Sequence, residues 1–423
     1  MTLPLRQPED PRRGDAIEQF YDRHPYPPPT DLDAVVTAKP QQRRAAHHLV
    51  WPGRPWADQN RADQNETDRL RILVAGCGTS QAARHAILNP DAQVVGIDVS
   101  STGVEQHRRL IERHRLTNLH LRRLPIEEVA ELGRQFDHIV CTGVLHHLAD
   151  PLLGLRALQS VLAPGGALTL MVYATYGRAG VYLIQDYCRR LGLSTDQVDL
   201  DDLVATLREI GSGHPISRLL RDSRDFADDD ALADALLNPR DRSYTVPELL
   251  QLITDGGLRF GRWQRQAPYL PDCGSISETP HADRIAKLPV SEQYAALELF
   301  RGTIARHTVI AYSATDPGPQ QPDFTDPGAG SWKPIRVPTA TAVTERLPAG
   351  AAAALLNRAH TETDLVSFIT GKELAMFRRI DGSRTVDDLG PGALPFIERL
   401  FRHDLIVLDT SSGSATEQKG NKS

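Results

Sequence analysis

The stretch Arg71-Ile-Leu-Val-Ala-Gly-Cys-Gly-Thr-Ser80 decides the fold of this chain, together with the run Val94-Val-Gly-Ile-Asp98 that follows it. Four apolar residues leading into two glycines predict a buried parallel strand that ends in a sharp turn, because glycine adopts positive φ and lets the backbone approach a ligand closely. Asp98 lies twenty positions after Gly78, the spacing at which an acid ending the next strand accepts hydrogen bonds from ribose hydroxyls. The two runs predict a pocket for an adenosine-containing ligand.

Residues that are missing from this motif narrow the choice of ligand. A dinucleotide fingerprint requires a third glycine where the pyrophosphate meets the helix N-terminus, and that position holds Gln81. The Lys-Ser/Thr pair of a phosphate-binding P-loop does not follow either. A ligand with a ribose and without a phosphate fits better, and an NAD-dependent oxidoreductase is the less favoured alternative.

Composition sets the broad class of the protein. The 423 residues, 40% of them hydrophobic, are enough for two or three domains of about 100 to 200 residues each. The net charge of -6 gives no general attraction for nucleic acid or anionic lipid, so neither is expected as a partner. Residues 1–15 have no apolar core of a secretory signal, and no run reaches the length of a membrane span. We therefore expect a cytoplasmic location.

The four cysteines predict no metal site. They lie far apart and form no C-x-x-C pair, so zinc binding is not expected, and a reducing compartment is consistent with this spacing. The first of them lies inside the glycine turn, where it fits as a small apolar filler. The four residues are Cys77, Cys141, Cys188 and Cys273.

Alternating patterns predict the organisation of the chain. From Leu70 to Tyr173 apolar runs of strand length alternate with helical segments, which predicts an α/β fold with a doubly wound, mostly parallel sheet. A long, acidic, helical insertion interrupts this alternation, and the capping box Thr245-Val-Pro-Glu248 opens the helix that resumes it. The predicted parts are an N-terminal lid or strap (1–69), the core (70–173 and 241–315), the insertion (174–240), a linker (316–339), a C-terminal domain (340–410) and a disordered tail (411–423).

The C-terminal domain is predicted to contain four helices and a final strand. The helices are expected at 351–356, 362–370, 371–380 and 395–403 and the strand at 405–408. This order resembles small winged-helix modules. Between Thr361 and Asp409 there are six Lys/Arg against nine Asp/Glu, which disfavours DNA recognition. Contact with a protein, a peptide or a second subunit is therefore the expected role.

Five motifs in register resemble those of the class I, seven-stranded S-adenosylmethionine-dependent methyltransferases. They are Val74-Ala-Gly-Cys-Gly-Thr-Ser80, Gly96-Ile-Asp-Val-Ser100, Phe136-Asp-His-Ile-Val140, Gly143-Val-Leu-His-His-Leu-Ala-Asp-Pro151 and Leu162-Ala-Pro-Gly-Gly166. The resemblance implies a Rossmann-like core, S-adenosyl-L-methionine as the cofactor and methyl transfer as the reaction.

The resemblance also assigns cofactor-binding residues. The glycine turn would pass under the methionyl part, the acid of the second strand would bind the ribose, the segment after the third strand would flank the adenine, and the loop after the fourth would face the transferable methyl. In that order these residues are Gly76, Cys77, Gly78 and Thr79; Asp98 and Val99; Pro125, Ile126 and Glu127; and Thr142 and Gly143. Two positions depart from the family pattern, since Val74 replaces a common acid and Ser80 a common glycine.

Candidates for catalysis and acceptor binding lie in three segments. His146 and His147 are candidate bases, because imidazole titrates near neutral pH; the alternative is that they only line the pocket. Tyr21 is a further candidate for catalysis and Tyr26 for the acceptor pocket; both belong to an aromatic, proline-rich segment that is expected either to cover the cofactor as a lid or to pack as a strap. Past the fifth strand, the acceptor pocket or the packing of the insertion would use Tyr173, Tyr176 and Arg178.

The acceptor stays open between two classes. The two histidines slightly favour a small molecule, whereas the acidic insertion and the extra domain favour a lysine of a basic protein. The insertion would serve either acceptor recognition or formation of a homodimer. A scaffold that binds S-adenosylmethionine without catalysis is a further alternative, suggested by Val74.

Overall fold

The computed structural model describes residues 14–27, 32–36, 40–56, 69–222, 226, 228–316, 318–319 and 321–411. The chain divides into two compact units. The first consists of Met1–Val35, Arg69–Gly257 and Ile304–His307, and the second of Val36–Asp68, Leu258–Thr303 and Thr308–Ser423. The predicted disordered tail lies, except for its first residue, outside the described residues.

Seven strands form the central sheet and confirm the predicted fold class. Their order is β3-β2-β1-β4-β5-β7-β6; the neighbours from β3 to β5 run parallel, and β6 and β7 pair antiparallel. Buried apolar residues fill β1 and β2, as expected for strands of a sheet with covered faces. The strands are β1 (Arg71–Ala75), β2 (Gln93–Asp98), β3 (Leu119–Arg123), β4 (Phe136–Thr142), β5 (Leu162–Tyr173), β6 (Leu258–Trp263) and β7 (Arg306–Ser313).

Fifteen α-helices lie in the described part of the chain, and none of them combines the length and apolar character that crossing a membrane requires. Short 3₁₀ helices also follow β3 and β4, at Ile126–Leu132 and Leu145–His147. The α-helices are α1 (Gly14–Arg23), α2 (Asp33–Val36), α3 (Pro40–Val50), α4 (Gln81–Leu88), α5 (Ser101–His114), α6 (Pro151–Ser160), α7 (Ala179–Leu191), α8 (Gln197–Arg208), α9 (Ser217–Asp222), α10 (Asp229–Leu237), α11 (Val246–Asp255), α12 (Ala282–Ile285), α13 (Val290–Arg301), α14 (Gly371–Arg379) and α15 (Ala393–Arg402).

The segment predicted as a helical insertion folds into helices α7 to α10. Their apolar side chains form one buried cluster, in which Val181, Leu203 and Leu232 are at most 3% exposed. Phe20 of α1 is part of the same cluster, so the N-terminal helix packs on this group of helices. The apolar contacts hold α1 near the carboxyl ends of the parallel strands, where sites form in open α/β sheets.

Two of the helix predictions for the C-terminal region are wrong. Residues 351–356 and 362–370 contain instead β10 and β11, which pair antiparallel in a sheet of order β11-β10-β9. Pairing overrides the helix propensity of Ala353-Ala-Leu-Leu356, because β10 has a partner on each side. Strand β8 arises inside the predicted linker and pairs with β12. The strands are β8 (Lys333–Arg336), β9 (Ala340–Val343), β10 (Ala353–Asn357), β11 (Val366–Ile369) and β12 (Ile406–Asp409).

Other C-terminal elements agree with their predictions. Helices α14 and α15 form close to the predicted positions, and α14 begins with a capping box between Thr370 and Glu373. The helices and strands share a buried apolar core that includes Leu355, Phe377 and Leu400. The likeness to winged-helix modules stays a prediction.

Candidate active site

The glycine turn connects β1 to α4 in a conformation that needs glycine twice. Gly76 has φ of +69° and Gly78 has φ of +56°, both in the left-handed region. A Cβ atom on Gly76 would lie 2.3 Å from a methyl carbon of Val144, so no larger residue fits there. The backbone N–H groups of Gly76 and Cys77 both donate to the carbonyl oxygen of Ile97, at 2.9 and 3.0 Å. The turn is therefore fixed against the end of β2.

Asp98 ties the end of β2 to this turn. Its carboxylate accepts hydrogen bonds from the backbone N–H of Gly78 at 2.7 Å and of Ser100 at 2.9 Å, one on each oxygen. Burial raises the pKa of Asp98 to about 6, and the two backbone donors act in the opposite direction. Because each carboxylate oxygen has a second lone pair, Asp98 can still accept hydrogen bonds from a ligand.

The remaining residues predicted for the cofactor lie at the same edge of the sheet. The N–H of Leu124 donates to the carbonyl oxygen of Asp98 at 2.9 Å, which places Pro125, Ile126 and Glu127 beside the end of β2. Gln81, the residue in place of the third glycine, donates through Nε2 to Oγ1 of Thr142 at 2.5 Å. This bond links α4 to the end of β4, next to Gly143. It was not predicted from the sequence.

The N-terminal strap, residues 14–27, passes over the glycine turn. A Cβ atom on Gly78 would lie 2.9 Å from the carbonyl oxygen of Tyr26, and Oγ1 of Thr79 donates to the carbonyl oxygen of Pro27 at 2.5 Å. Strap and turn are thus in direct contact through their backbones.

Asp22 anchors the strap to α5. Its side chain accepts hydrogen bonds from the hydroxyls of Ser100 and Ser101 at 2.8 and 3.0 Å and from the N–H of Thr102 at 3.2 Å. A carboxylate at a helix N-terminus satisfies free backbone donors and interacts favourably with the helix dipole. The strap therefore contributes to capping the helix that follows Asp98.

Tyr21 joins the strap to α10. Its hydroxyl donates to Asp234 at 2.8 Å and accepts from Nδ2 of Asn238 at 3.0 Å. Burial and the neighbouring carboxylate raise the pKa of Tyr21 well above its usual value. A neutral hydroxyl with two hydrogen bonds is held in position and does not accept a proton from an acceptor substrate at neutral pH.

His146 and His147 lie side by side in the 3₁₀ turn after β4. The ring centroids are 4.2 Å apart, and the His146 ring lies 4.2 Å from the ring of Tyr173 at the end of β5. Nδ1 of His147 donates to the carbonyl oxygen of Arg240 at 2.6 Å, which leaves Nε2 as an acceptor. His146 is fully buried, and neither of its ring nitrogens has a hydrogen-bond partner among the residues that the structure describes. Burial lowers the pKa of His146 well below its usual value, so the ring is neutral.

The four residues predicted for the acceptor pocket separate in the structure. Tyr173 lies beside the two histidines, and the guanidinium carbon of Arg178 lies 3.6 Å from the centre of its ring, with Arg178 only 1% exposed. Tyr26 lies in the strap. Tyr176 is 41% exposed and lies at the surface.

Asp241 completes a group that the sequence did not reveal. One oxygen of its carboxylate accepts from Nε2 of Gln185 at 2.9 Å, and the other, Oδ1, is buried with no hydrogen-bond partner in the described part of the chain. Together with His146 and His147 it forms the His-His-Asp cluster, whose potential ligand atoms all lie within 4.8 Å of one another. No local pattern around Asp241 marks this role, because only the tertiary fold brings it to the histidines.

Comparisons with known proteins identify this chain as similar to methyltransferases. A family model described as a methyltransferase domain matches residues 73–168. An uncharacterized protein of Synechococcus sp. is 33% identical over 292 residues, which cover 67% of this chain and 68% of that protein. The ubiquinone biosynthesis O-methyltransferase of Acinetobacter baylyi is 31% identical over 97 residues, 23% of this chain and 40% of that enzyme. This match thus spans less than half of the curated enzyme.

Among solved structures, PKMT2 from Rickettsia typhi has the same fold. It superposes with a TM-score of 0.63 at 15% identity and covers 91% of this chain and 77% of its own. The structure of PKMT2 in complex with AdoHcy superposes with a TM-score of 0.61. The similarity includes residues on both sides of the family-model match.

Proposed function

Because the chain belongs to the class I S-adenosylmethionine-dependent methyltransferases, we propose that it methylates a hydroxyl oxygen of a small-molecule acceptor. The observation that carries this proposal is the buried polar group at the ends of β4 and β5, where neutral His146 and Asp241 have acceptor atoms without partners. A hydroxyl group can donate to such atoms and lose its proton there. The match with an enzyme named as an O-methyltransferase supports the same acceptor class.

The residues at the glycine turn fit S-adenosylmethionine. In this proposal Gly76 and Gly78 give the methionyl part a close approach to the backbone, Asp98 accepts from the ribose hydroxyls, and Ile126 contacts the adenine. The fit of the cofactor depends on Asp98, because each of its two oxygens retains a free lone pair for the ribose. When bound, the cofactor supplies a methyl group on a positively charged sulfur. The sulfur leaves with the electron pair of its bond to the methyl group.

Arg178 favours an oxygen acceptor over an amine. Its guanidinium lies on Tyr173 and interacts electrostatically with His146. A buried cation stabilises the negative charge that develops on a hydroxyl oxygen and disfavours entry of a protonated lysine. Tyr21, held by Asp234, then positions the strap over the pocket.

A lysine of a basic protein is the second candidate. Acidic residues around the start of α8, including Asp196 and Asp201, are exposed and give that surface the charge that a basic segment would need. An assay that separates the two transfers labelled methyl from S-adenosylmethionine to a cell extract and compares the small-molecule fraction with the protein bands.

The expected result is label in the small-molecule fraction that is lost in the Asp241→Asn variant and retained in the control His120→Ala, at an exposed position of β3. We expect Asp241→Asn to lower the transfer rate at least about 100-fold while S-adenosylmethionine binding is unchanged. Label confined to protein bands would refute the hydroxyl acceptor.

A further inference from the structure

We propose that the His-His-Asp cluster of His146, His147 and Asp241 is a binding site for a divalent transition-metal ion, with Zn²⁺ the best match. The inference rests on geometry, since the three potential ligand atoms lie within 4.8 Å of one another. Tetrahedral zinc places its ligand atoms about 3.4 Å apart. Side-chain rotations that move these atoms by about an ångström would therefore bring them to the spacing of a zinc site.

The hydrogen bonds around the cluster prepare each ligand atom. Nδ1 of His147 donates to the carbonyl oxygen of Arg240 at 2.6 Å, so Nε2 carries the free lone pair, as in metal sites whose histidines are oriented by an outer partner. Gln185 holds one oxygen of Asp241 and leaves Oδ1 free. Neither ring nitrogen of buried His146 has a hydrogen-bond partner among the described residues, so either one can carry the lone pair that binds an ion.

Leaving these atoms without partners costs free energy, because a buried polar atom loses water and gains nothing in return. His146 has two such atoms and Asp241 has one. An ion bound by all three side chains removes this cost at two of the three atoms, Oδ1 of Asp241 and one nitrogen of His146.

The chemistry of the set points to a transition metal. Two imidazole nitrogens and one carboxylate suit Zn²⁺ and its neighbours, whereas Mg²⁺ and Ca²⁺ select oxygen ligands. Arg178 is a cation close to His146, and the carboxylate of Asp234 places a negative charge close to His147 and Asp241. A cavity of about 460 Å³ lies beside the cluster, with Asp241, Glu248 and the two cations Arg189 and Arg242 in its lining.

Three protein ligands leave a coordination position open, as in catalytic metal sites. If the proposed function holds, a bound ion would replace His146 and Asp241 in activating the acceptor: the hydroxyl would bind the ion at the open position, its pKa would fall, and its proton would pass to water instead of to these side chains. This role rests on the proposed function, but binding of the ion does not.

The test is a Co²⁺ titration of chelator-treated protein, followed by visible ligand-field absorption and calorimetry, without acceptor or cofactor. We expect one Co²⁺ per chain, displaced by Zn²⁺, with Kd raised at least about 100-fold in His147→Ala and in the isosteric Asp241→Asn. His120→Ala, which removes an exposed histidine, should bind as the unchanged protein does.

Thermal unfolding shows whether each variant is folded and whether Zn²⁺ stabilises it. Saturating Zn²⁺ should raise the unfolding midpoint of the unchanged protein and of His120→Ala, but not of Asp241→Asn. Absence of one-to-one binding, or equal binding by all four proteins, overturns the metal site. Label found only in protein bands in the extract assay would instead overturn the hydroxyl acceptor, so the two failures are distinguishable.

Discussion

Replacing Asp98 with asparagine tests the position of the cofactor's ribose most directly. The carboxylate accepts one backbone N–H on each oxygen, from Gly78 at 2.7 Å and from Ser100 at 2.9 Å. An amide has a single acceptor oxygen, so one of these donors would face an NH₂ group, and the ribose hydroxyls would lose a charged acceptor.

Hydrogen bonds to charged groups contribute about 1.5–3 kcal/mol each. We therefore expect Asp98→Asn to weaken S-adenosylmethionine binding by about 2–3 kcal/mol, which is a roughly 30- to 150-fold higher Kd. Calorimetry on the folded variant measures this change. The matched control is Asp91→Asn, in the turn before β2, whose Kd should stay within about twofold.

Circular dichroism and thermal unfolding verify that the variant is folded. If folded Asp98→Asn binds S-adenosylmethionine with a Kd less than about threefold above that of the unchanged protein, the ribose does not lie on Asp98 and the assignment of the whole pocket fails.

Three further predictions concern the same edge of the sheet. Gly78→Ala should lower the free energy of unfolding by about 1–2 kcal/mol in urea, because φ is +56° and the new methyl would meet Tyr26; an unchanged value would contradict the turn geometry. Asp22→Ala should lower the free energy of unfolding by about 1 kcal/mol and speed proteolysis of the strap, since it removes the acceptor for the hydroxyls of Ser100 and Ser101. Equal cleavage rates for the variant and the unchanged protein would argue against Asp22 as the anchor. The pKa of Asp98, raised to about 6, means that this group's contribution to stability is present at low pH and is lost as pH rises from about 4 to about 6. As pH rises through this pKa the affinity for S-adenosylmethionine should also rise, since ribose hydroxyls donate to the ionised carboxylate; calorimetry showing a flat profile from about pH 5 to about pH 7 would contradict this.

The parts of the site that a local pattern encodes were predictable from the sequence. The glycine turn and Asp98 each sit at the end of an apolar strand, and their spacing follows from one strand–helix–strand unit. The helices of the insertion were also predictable, since apolar residues recur there at helical spacing. The structure adds the hydrogen bonds that unite these pieces.

Contacts made by distant segments could not be predicted. Asp241 reaches the histidines, and Asp234 reaches Tyr21, only through the packing of α7 and α10. In the C-terminal region, Ala353-Ala-Leu-Leu356 has helix-forming composition, and its role as β10 depends on two strands from elsewhere in the chain. Val366-Ser-Phe-Ile369 did carry a strand signal, because it contains β-branched and aromatic residues.

The strap has a consequence for turnover kinetics. Its hydrogen bonds at Asp22, Tyr21 and Pro27 hold α5, α10 and the glycine turn at the same time. We predict that the strap opens whenever cofactor is exchanged between reaction cycles, and that opening breaks these three sets of hydrogen bonds together. We expect spent cofactor to leave slowly, so that the first cycle after mixing runs faster than the steady rate.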